Sequence, residues 1–121
     1  INSLCWNQAA FLTEAINGEF QTAPDVVEVV RRMMVEMEAV AEALGAVIPV
    51  PMEKRITMTV NATDHTMSML QDLQRGRPIE IDVLADSVAA MSQAAGVPTP
   101  TVDALIALTK LKGKIRGVYG G

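Results

Sequence analysis

The sequence predicts an all-α fold, a compact bundle of about six helices in one domain over residues 1–121. Three observations support this prediction. Apolar residues recur at steps of three and four, the spacing of one helix face. No segment shows the alternation of apolar and polar residues that is typical of a half-buried strand. Glycines and prolines interrupt the apolar pattern, and the loops between them are only a few residues long.

A turn that contains glycine separates the first two predicted helices. Residues 1–16 predict the first helix, and the Asn-Gly pair at positions 17–18 is expected to end it, because both residue types tolerate a left-handed backbone. Thr22 is expected to cap the second helix, with Asp25 in capping-box position, and Gly45 to end it. Its core face follows the helical period: Val26, Val30, Met33, Met37, Val40 and Leu44.

Three further helices are predicted after the proline-containing loop 46–51. The third covers residues 52–65 and is either continuous with the fourth, 66–74, or kinked against it. Gly76 is expected to end the fourth helix. The fifth helix is predicted over residues 80–95, where Gly96 follows.

The last predicted helix begins at Pro100, a favoured first helical residue, with Thr99 as its cap. Gly113 is expected to close it, and the tail 116–121 is expected to be frayed. Three lysines lie near its C-terminal end: Lys110, Lys112 and Lys114. Their whole role is expected to be a favourable interaction with the dipole of their own helix.

The composition excludes several classes of protein. Half of the residues are hydrophobic but only four are aromatic, so the eight methionines predict an aliphatic, Met-rich core. A net charge of −4 with interleaved acids and bases disfavours a nucleic-acid partner. No apolar run approaches the roughly 20 residues of a membrane span. The single Cys5 cannot form an internal disulfide, which favours a cytoplasmic protein with Cys5 as a small buried hydrophobe.

Short motifs occur along the chain in a fixed order. Asn7, Leu12-Thr13 and Asn-Gly-Glu-Phe at 17–20 precede Ser-Met-Leu-Gln-Asp at 68–72. Gly-Arg-Pro, Glu-Ile-Asp from Glu80, and Gly-Val-Pro-Thr-Pro at 96–100 follow. In this order and spacing, nearly the whole chain resembles the C-terminal domain of ketopantoate reductase (2-dehydropantoate 2-reductase). The resemblance implies a helical domain like the C-terminal domain of 6-phosphogluconate dehydrogenase, docked beside a Rossmann domain.

The resemblance also implies an activity. The family reduces ketopantoate, or a similar branched 2-oxo acid, with NADPH in pantothenate biosynthesis, often as a homodimer. No Gly-x-Gly-x-x-Gly fingerprint occurs here, so NADPH is expected to be bound by an N-terminal Rossmann domain absent from this chain. The family's proton-donating lysine lies a few residues before the position of Ile1. The 121-residue chain alone is therefore expected to be inactive.

Glu80 is the main candidate for a catalytic residue. It matches the family's catalytic glutamate, and a helix start stabilises a carboxylate through free amide groups. A carboxylate held ionised suits an ammonium partner, so Glu80 is interpreted as orienting the lysine. The alternative is a first-turn glutamate that serves only the helix dipole, as Asp82 is expected to do. Ile79, where the family often has a capping threonine, leaves the position of Glu80 dependent on packing.

Four polar residues match substrate-binding positions of the family: Ser3, Asn7, Asn17 and Ser68. Amide and hydroxyl groups suit a substrate with ketone, hydroxyl and carboxylate oxygens. Three of the matches have an alternative: Asn17 as a helix stop, Ser68 as a plain N-cap, and Asn2 in place of Ser3 after a one-residue slip. The lone His65 is expected to line the cleft or end a helix, since it has no partner for a metal site.

A second class of function stays open at this point. A bundle with a Met-rich face could serve as a non-enzymatic helical module that binds another protein.

Overall fold

Six α-helices and one short 3-10 helix account for the regular structure of residues 1–120, which the computed structural model describes. They are α1 (Asn2–Thr13), the 3-10 helix (Asn17–Thr22), α2 (Pro24–Ala43), α3 (Met52–Asn61), α4 (Ser68–Gln74), α5 (Ile81–Ala95) and α6 (Pro100–Ile115). No strand occurs in this range, so the predicted all-α class is confirmed. Within it, no helix combines the length and the apolar character that crossing a bilayer requires.

The first helix lies at the centre of the bundle. It packs against α2, α4 and α6, and six of its residues are buried: Cys5, Trp6, Gln8, Ala9, Ala10 and Phe11. Trp6 and Phe20 meet edge to face, with ring centroids 5.1 Å apart. Met33, Met34 and Met37 of α2 belong to the same buried core cluster as the α1 residues, which confirms the Met-rich core.

The predicted stop of α1 is wrong. The helix ends at Thr13, and Glu14 takes the left-handed conformation with φ 59°. The end of α1 is held by a residue of another helix. The ammonium group of Lys112, on α6, donates hydrogen bonds to the carbonyls of Phe11 and Leu12, which have no partner within α1. It also lies 3.3 Å from the Glu14 carboxylate. The prediction that the lysines serve only their own helix is therefore wrong for Lys112.

Gly18 has a different use from the one predicted. Its amide donates to the carbonyl of Thr63 at 3.1 Å, and a Cβ placed on Gly18 would lie 2.8 Å from that oxygen. The glycine therefore permits the 3-10 helix to approach the loop after α3. This loop, residues 62–67, also separates α3 from α4, which are distinct helices.

Two predicted caps differ from the structure. Ala23 is the N-cap of α2, and the Thr22 hydroxyl donates to the carbonyl of Glu19, so the Thr22–Asp25 capping box is wrong. Thr99 is the N-cap of α6 as predicted, but its hydroxyl donates to Asp103. The Glu36 carboxylate of α2 instead accepts the first amides of α6, at 2.9 and 3.0 Å.

The chain end is folded where fraying was predicted. Helix α6 continues through Gly113 to Ile115, and Val118 is buried. The Ile79 amide donates to the Val118 carbonyl at 2.9 Å, and the Tyr119 hydroxyl donates to Asp82 at 2.7 Å. These contacts attach residues 116–120 to the start of α5; Gly121 lies outside the described residues.

Candidate functional site

A surface hollow of about 400 Å³ lies where α1, α4 and the start of α5 meet. It is lined by Ser3, Leu4, Asn7, Ser68, Met69, Asp72, Glu80 and Leu84. Four of the five predicted site residues therefore share one hollow, although three separate segments of the chain supply them. The exception is Asn17.

Asn7 joins the α1 wall of the hollow to the α4 wall. Its side-chain oxygen accepts the Ser68 hydroxyl at 3.1 Å and the Met69 amide at 3.0 Å, while its amide group donates to the Ser3 carbonyl at 2.7 Å. Asn7 thus caps α4 from another helix. Ser68 is the first residue of α4 and not its N-cap, so the plain-cap alternative for Ser68 is wrong.

Glu80 was predicted to be the first residue of α5. It is instead the N-cap residue, the helix starts at Ile81, and the Glu80 side chain is exposed at the rim of the hollow. Its position depends on the preceding residue. Ile79 is buried, and its amide is held by Val118. The predicted dependence of Glu80 on packing therefore has a structural basis in the folded tail.

Gly113 permits the tail to reach that position. A Cβ on Gly113 would lie 2.7 Å from the Cβ of Tyr119 and 3.2 Å from Cδ1 of Ile79. The close approach therefore requires a residue without a side chain. Gly113 lies within α6 and does not end it.

Asp82 lies in the first turn of α5. It does not line the hollow, and its carboxylate instead binds Tyr119 of the C-terminal tail. The hydrogen bond from Tyr119 lowers the pKa of Asp82, and Lys110, 3.5 Å away, acts in the same direction. The same bond raises the pKa of Tyr119, because the neighbouring carboxylate disfavours a phenolate. Asp82 is thus structural, as predicted, but through the tail as well as the helix start.

Asn17 lies in a second hollow, of about 310 Å³, with Asn2, Thr59 and His65 among its lining residues. It is 2 % exposed, and its amide group donates to the Thr59 carbonyl at 3.1 Å. Its side-chain oxygen is buried and has no partner within residues 1–120. His65 lies on the loop after α3, not at a helix end, and lines this second hollow rather than the one that holds Glu80.

Asp72 also lines the first hollow, although it was not among the predicted site residues. Its carboxylate lies 3.3 Å from Arg77. The available signal was its spacing of four residues from Ser68, which places both residues on one face of a helix. The hollow therefore has two acidic groups, Asp72 and Glu80, beside its amide and hydroxyl groups.

Residues 1–120 support neither a metal site nor a reactive thiol. No group of three or more His, Cys, Asp or Glu residues within residues 1–120 is arranged to hold a metal ion. Cys5 is fully buried, and burial raises its pKa to about 12, so its thiol is held protonated. The prediction of Cys5 as a small buried hydrophobe is confirmed.

The arrangement suits binding of a small polar molecule. Hydroxyl and amide groups occupy one wall, and a carboxylate at a helix start occupies the rim. Such a carboxylate can orient a cationic group that reaches the hollow.

The comparisons with known proteins agree with the geometry. The family model described as Ketopantoate reductase PanE/ApbA C terminal matches residues 1–113. A 2-dehydropantoate 2-reductase from Mesorhizobium japonicum is 43% identical over 89 residues, which cover 74% of this chain and 27% of that protein.

Two crystal structures assigned as ketopantoate reductases share the fold. The one from Ralstonia solanacearum MolK2 has a TM-score of 0.86 at 31% identity, over 98% of this chain and 36% of that chain. The one from Ralstonia eutropha JMP134 has a TM-score of 0.78 at 29% identity, over 96% and 41%. The chain thus spans between about a quarter and two fifths of the length of these relatives. It belongs to the family of ketopantoate reductase C-terminal domains.

Proposed function

We propose that this chain is the substrate-binding and catalytic half of an NADPH-dependent reductase. The reaction converts ketopantoate, or a similar branched 2-oxo acid, to the 2-hydroxy acid in pantothenate biosynthesis in the cytoplasm. The observation that carries the proposal is the single hollow shared by Ser3, Asn7, Ser68 and Glu80, in a chain that belongs to this family.

The polar wall of the hollow would hold the substrate carboxylate and oxygens. The Ser68 hydroxyl now donates to Asn7 and can turn to a carboxylate instead, and the Asn7 amide group has a second hydrogen beyond the one given to Ser3. Binding would therefore exchange the Asn7–Ser68 bond for bonds to the substrate. The hydrogen bond from the Met69 amide would keep the Asn7 side-chain oxygen in place during this exchange.

Glu80 would act through a lysine. Its exposed carboxylate forms no ion pair within residues 1–120 and lies at the rim, where an ammonium group could meet it. The resemblance implies that this lysine precedes Ile1. An ammonium oriented by Glu80 would donate its proton to the carbonyl oxygen, where negative charge develops during reduction.

The residues of this chain do not fit a dinucleotide by themselves. The eight glycines include no phosphate-binding fingerprint. NADPH, which supplies the hydride when bound, would be held mainly by a further Rossmann domain of the longer protein. We therefore assign no residue of this chain to the cofactor.

The test is turnover by the full-length protein that contains this chain. NADPH oxidation, followed by absorbance, is measured with ketopantoate, with a straight-chain 2-oxo acid and without substrate. We expect ketopantoate or another branched acid to give the largest kcat/KM, and the isolated 121-residue chain to give none. No turnover of any 2-oxo acid by the folded full-length protein would contradict the proposal.

A non-enzymatic interaction module is the weaker alternative. Four methionines are buried in the core and only Met58 is strongly exposed, so the chain has no continuous Met-rich face among its described residues. The family match and the polar hollow favour the reductase.

A further inference from the structure

Arg55 of α3 lies between the buried core and the second hollow, the one that also holds Asn17. Its side chain is only 16 % exposed, and two of its three guanidinium nitrogens are bound within the protein. Nε donates to the Val50 carbonyl at 3.0 Å, and Nη2 donates to the Glu38 carboxylate at 2.5 Å. Because Glu38 is itself buried, this pair fixes the guanidinium group of Arg55 against α2.

The third nitrogen of Arg55, Nη1, is left free. It donates to no group within residues 1–120. It also differs from the buried polar atoms without a partner, because it keeps some exposed surface. The second hollow is the open space that Arg55 borders. A charged arginine therefore presents unused N–H groups to this hollow.

Arg31 of α2 provides a comparison within the same chain. It also joins α2 to α3, but all three of its guanidinium nitrogens bind carboxylates. Nε and Nη2 bind Glu53, and Nη1 binds Glu28. Arg31 does not line the second hollow. The arginine that only joins the two helices thus uses the nitrogen that Arg55 leaves free.

The other polar groups of the second hollow have different hydrogen-bonding roles. Asn2 and Asn17 each donate their amide group to Thr59, whose hydroxyl in turn donates to the Arg55 carbonyl. The side-chain oxygens of both asparagines are buried. The His65 ring can either donate or accept. Arg55 is therefore the lining residue whose free group can only donate, and the group that it suits is an oxygen acceptor.

The two hollows adjoin each other along the chain. Ser3 and Ser68 line the first hollow, and their chain neighbours Asn2 and Met67 line the second. Consecutive Cα atoms are about 3.8 Å apart. A substrate whose acid group lies against Ser68 can therefore extend its far end past Met67 into the second hollow. Met58 and Met67 offer apolar contacts there for the methyl groups of a branched acid.

We propose that Arg55 is a specificity-determining residue, whose free Nη1 binds the hydroxyl group at the far end of a 2-oxo acid such as ketopantoate. The inference rests on the proposed function, because it requires the acid group of the substrate in the first hollow. It adds a requirement to that function. The preferred substrate carries an oxygen at the end remote from the 2-oxo acid group.

A matched pair of substrates tests the proposal in the full-length protein. Trimethylpyruvate is ketopantoate without its hydroxyl group. We expect kcat/KM in the unchanged protein to be roughly ten- to a hundredfold larger for ketopantoate, the usual effect of one hydrogen bond to a charged group. Arg55→Met should abolish most of this preference. Arg55→Lys should keep part of it, because an ammonium group also donates.

Arg31→Met is the matched control, because it removes the other arginine that joins α2 to α3. It should lower stability in urea and leave the preference unchanged. The preference is a ratio of two substrates in one variant, so it does not depend on the folded fraction. Circular dichroism verifies folding. If Arg55→Met is unfolded because Glu38 is left unpaired, the double variant Glu38→Gln with Arg55→Met takes its place.

The possible failures are distinguishable. Equal kcat/KM for the two acids in the unchanged protein would overturn the role of Arg55 and leave the proposed reductase activity intact. An undiminished preference in Arg55→Met, or an equal loss of preference in Arg31→Met, would also overturn it. Turnover of neither acid would contradict the proposed function, and this inference with it.

Discussion

The side-chain oxygen of Asn7 accepts the hydroxyl proton of Ser68 across 3.1 Å and thereby joins α1 to α4. The two residues are 61 positions apart in the chain, yet each is a predicted contact to the same substrate. Their substrate contacts are therefore not independent of each other. The first prediction follows from this bond.

Ser68→Ala in the full-length protein should raise KM by roughly ten- to a hundredfold, since a hydrogen bond to a charged carboxylate is worth about 1.5–3 kcal/mol. Asn7→Ala should also raise KM and should in addition lower the free energy of unfolding by about 1 kcal/mol, because α4 loses its cap. The loss of binding free energy, calculated from KM, should be smaller in the double variant than the sum of the losses in the two single variants. The coupling energy should be about 0.5–3 kcal/mol. Steady-state kinetics and urea unfolding measure both effects. Fully additive changes in KM would show that the two residues do not act on the same substrate group.

Glu80→Gln should reduce kcat by roughly 10²-fold or more while the fold stays intact. The amide keeps the shape of the side chain but cannot hold an ammonium group by charge. Asp86→Asn is the control, because Asp86 is an exposed acid on the same helix and lies away from the hollow. If both variants retained normal turnover, Glu80 would be only a helix-start residue.

Gly113→Ala should destabilise the protein by about 1–3 kcal/mol, because the added methyl group has no space beside Tyr119 and Ile79. Displacing Ile79 should also move Glu80, so kcat should fall. Gly120→Ala is the matched control, since no other atom lies within 4 Å of its added Cβ. Urea unfolding and turnover measure the two effects. A Gly113→Ala protein as stable and active as Gly120→Ala would show that the tail does not position Glu80.

Lys112→Met should lower the free energy of unfolding by about 1.5–3 kcal/mol, because the carbonyls of Phe11 and Leu12 lose a charged donor. Lys54→Met serves as control, because Lys54 is exposed on α3. Thermal or urea unfolding gives the difference. Equal stability of the two variants would mean that water replaces the Lys112 ammonium at no cost.

The native Cys5 thiol should resist alkylation at mildly alkaline pH and react promptly in urea. Its pKa is raised from 9.0 to about 12 by burial, so the unfolded state loses this proton first as pH rises. Cys5 therefore contributes stability that is present below about pH 9 and is lost between about 9 and 12. Cys5→Ala should show a shallower loss of stability in that window. Rapid alkylation of the native protein would contradict the buried placement of the thiol.

The helices could be predicted from local sequence because the helical period depends only on residues that are close together in the chain. The Met-rich face of α2 and the helix starts near Ser68 and Glu80 were all accessible in this way. One error is local, because the Thr22 hydroxyl donates to the nearby Glu19 carbonyl instead of capping α2. The others concern contacts between distant segments. The end of α1 depends on Lys112, about a hundred residues away, and the start of α6 depends on Glu36. A local stop or cap signal cannot reveal a partner supplied by another helix.

The sequence by itself determined the all-α class, the composition of the core, and the motifs that identify the family. Only the tertiary structure decided which polar residues meet. It gathered Ser3, Asn7, Ser68 and Glu80 in one hollow and placed Asn17 in another. The physical reason is that periodicity shows which face of a helix is buried, whereas the meeting of two side chains depends on how whole helices pack against each other. That packing is the sum of contacts spread over the entire core.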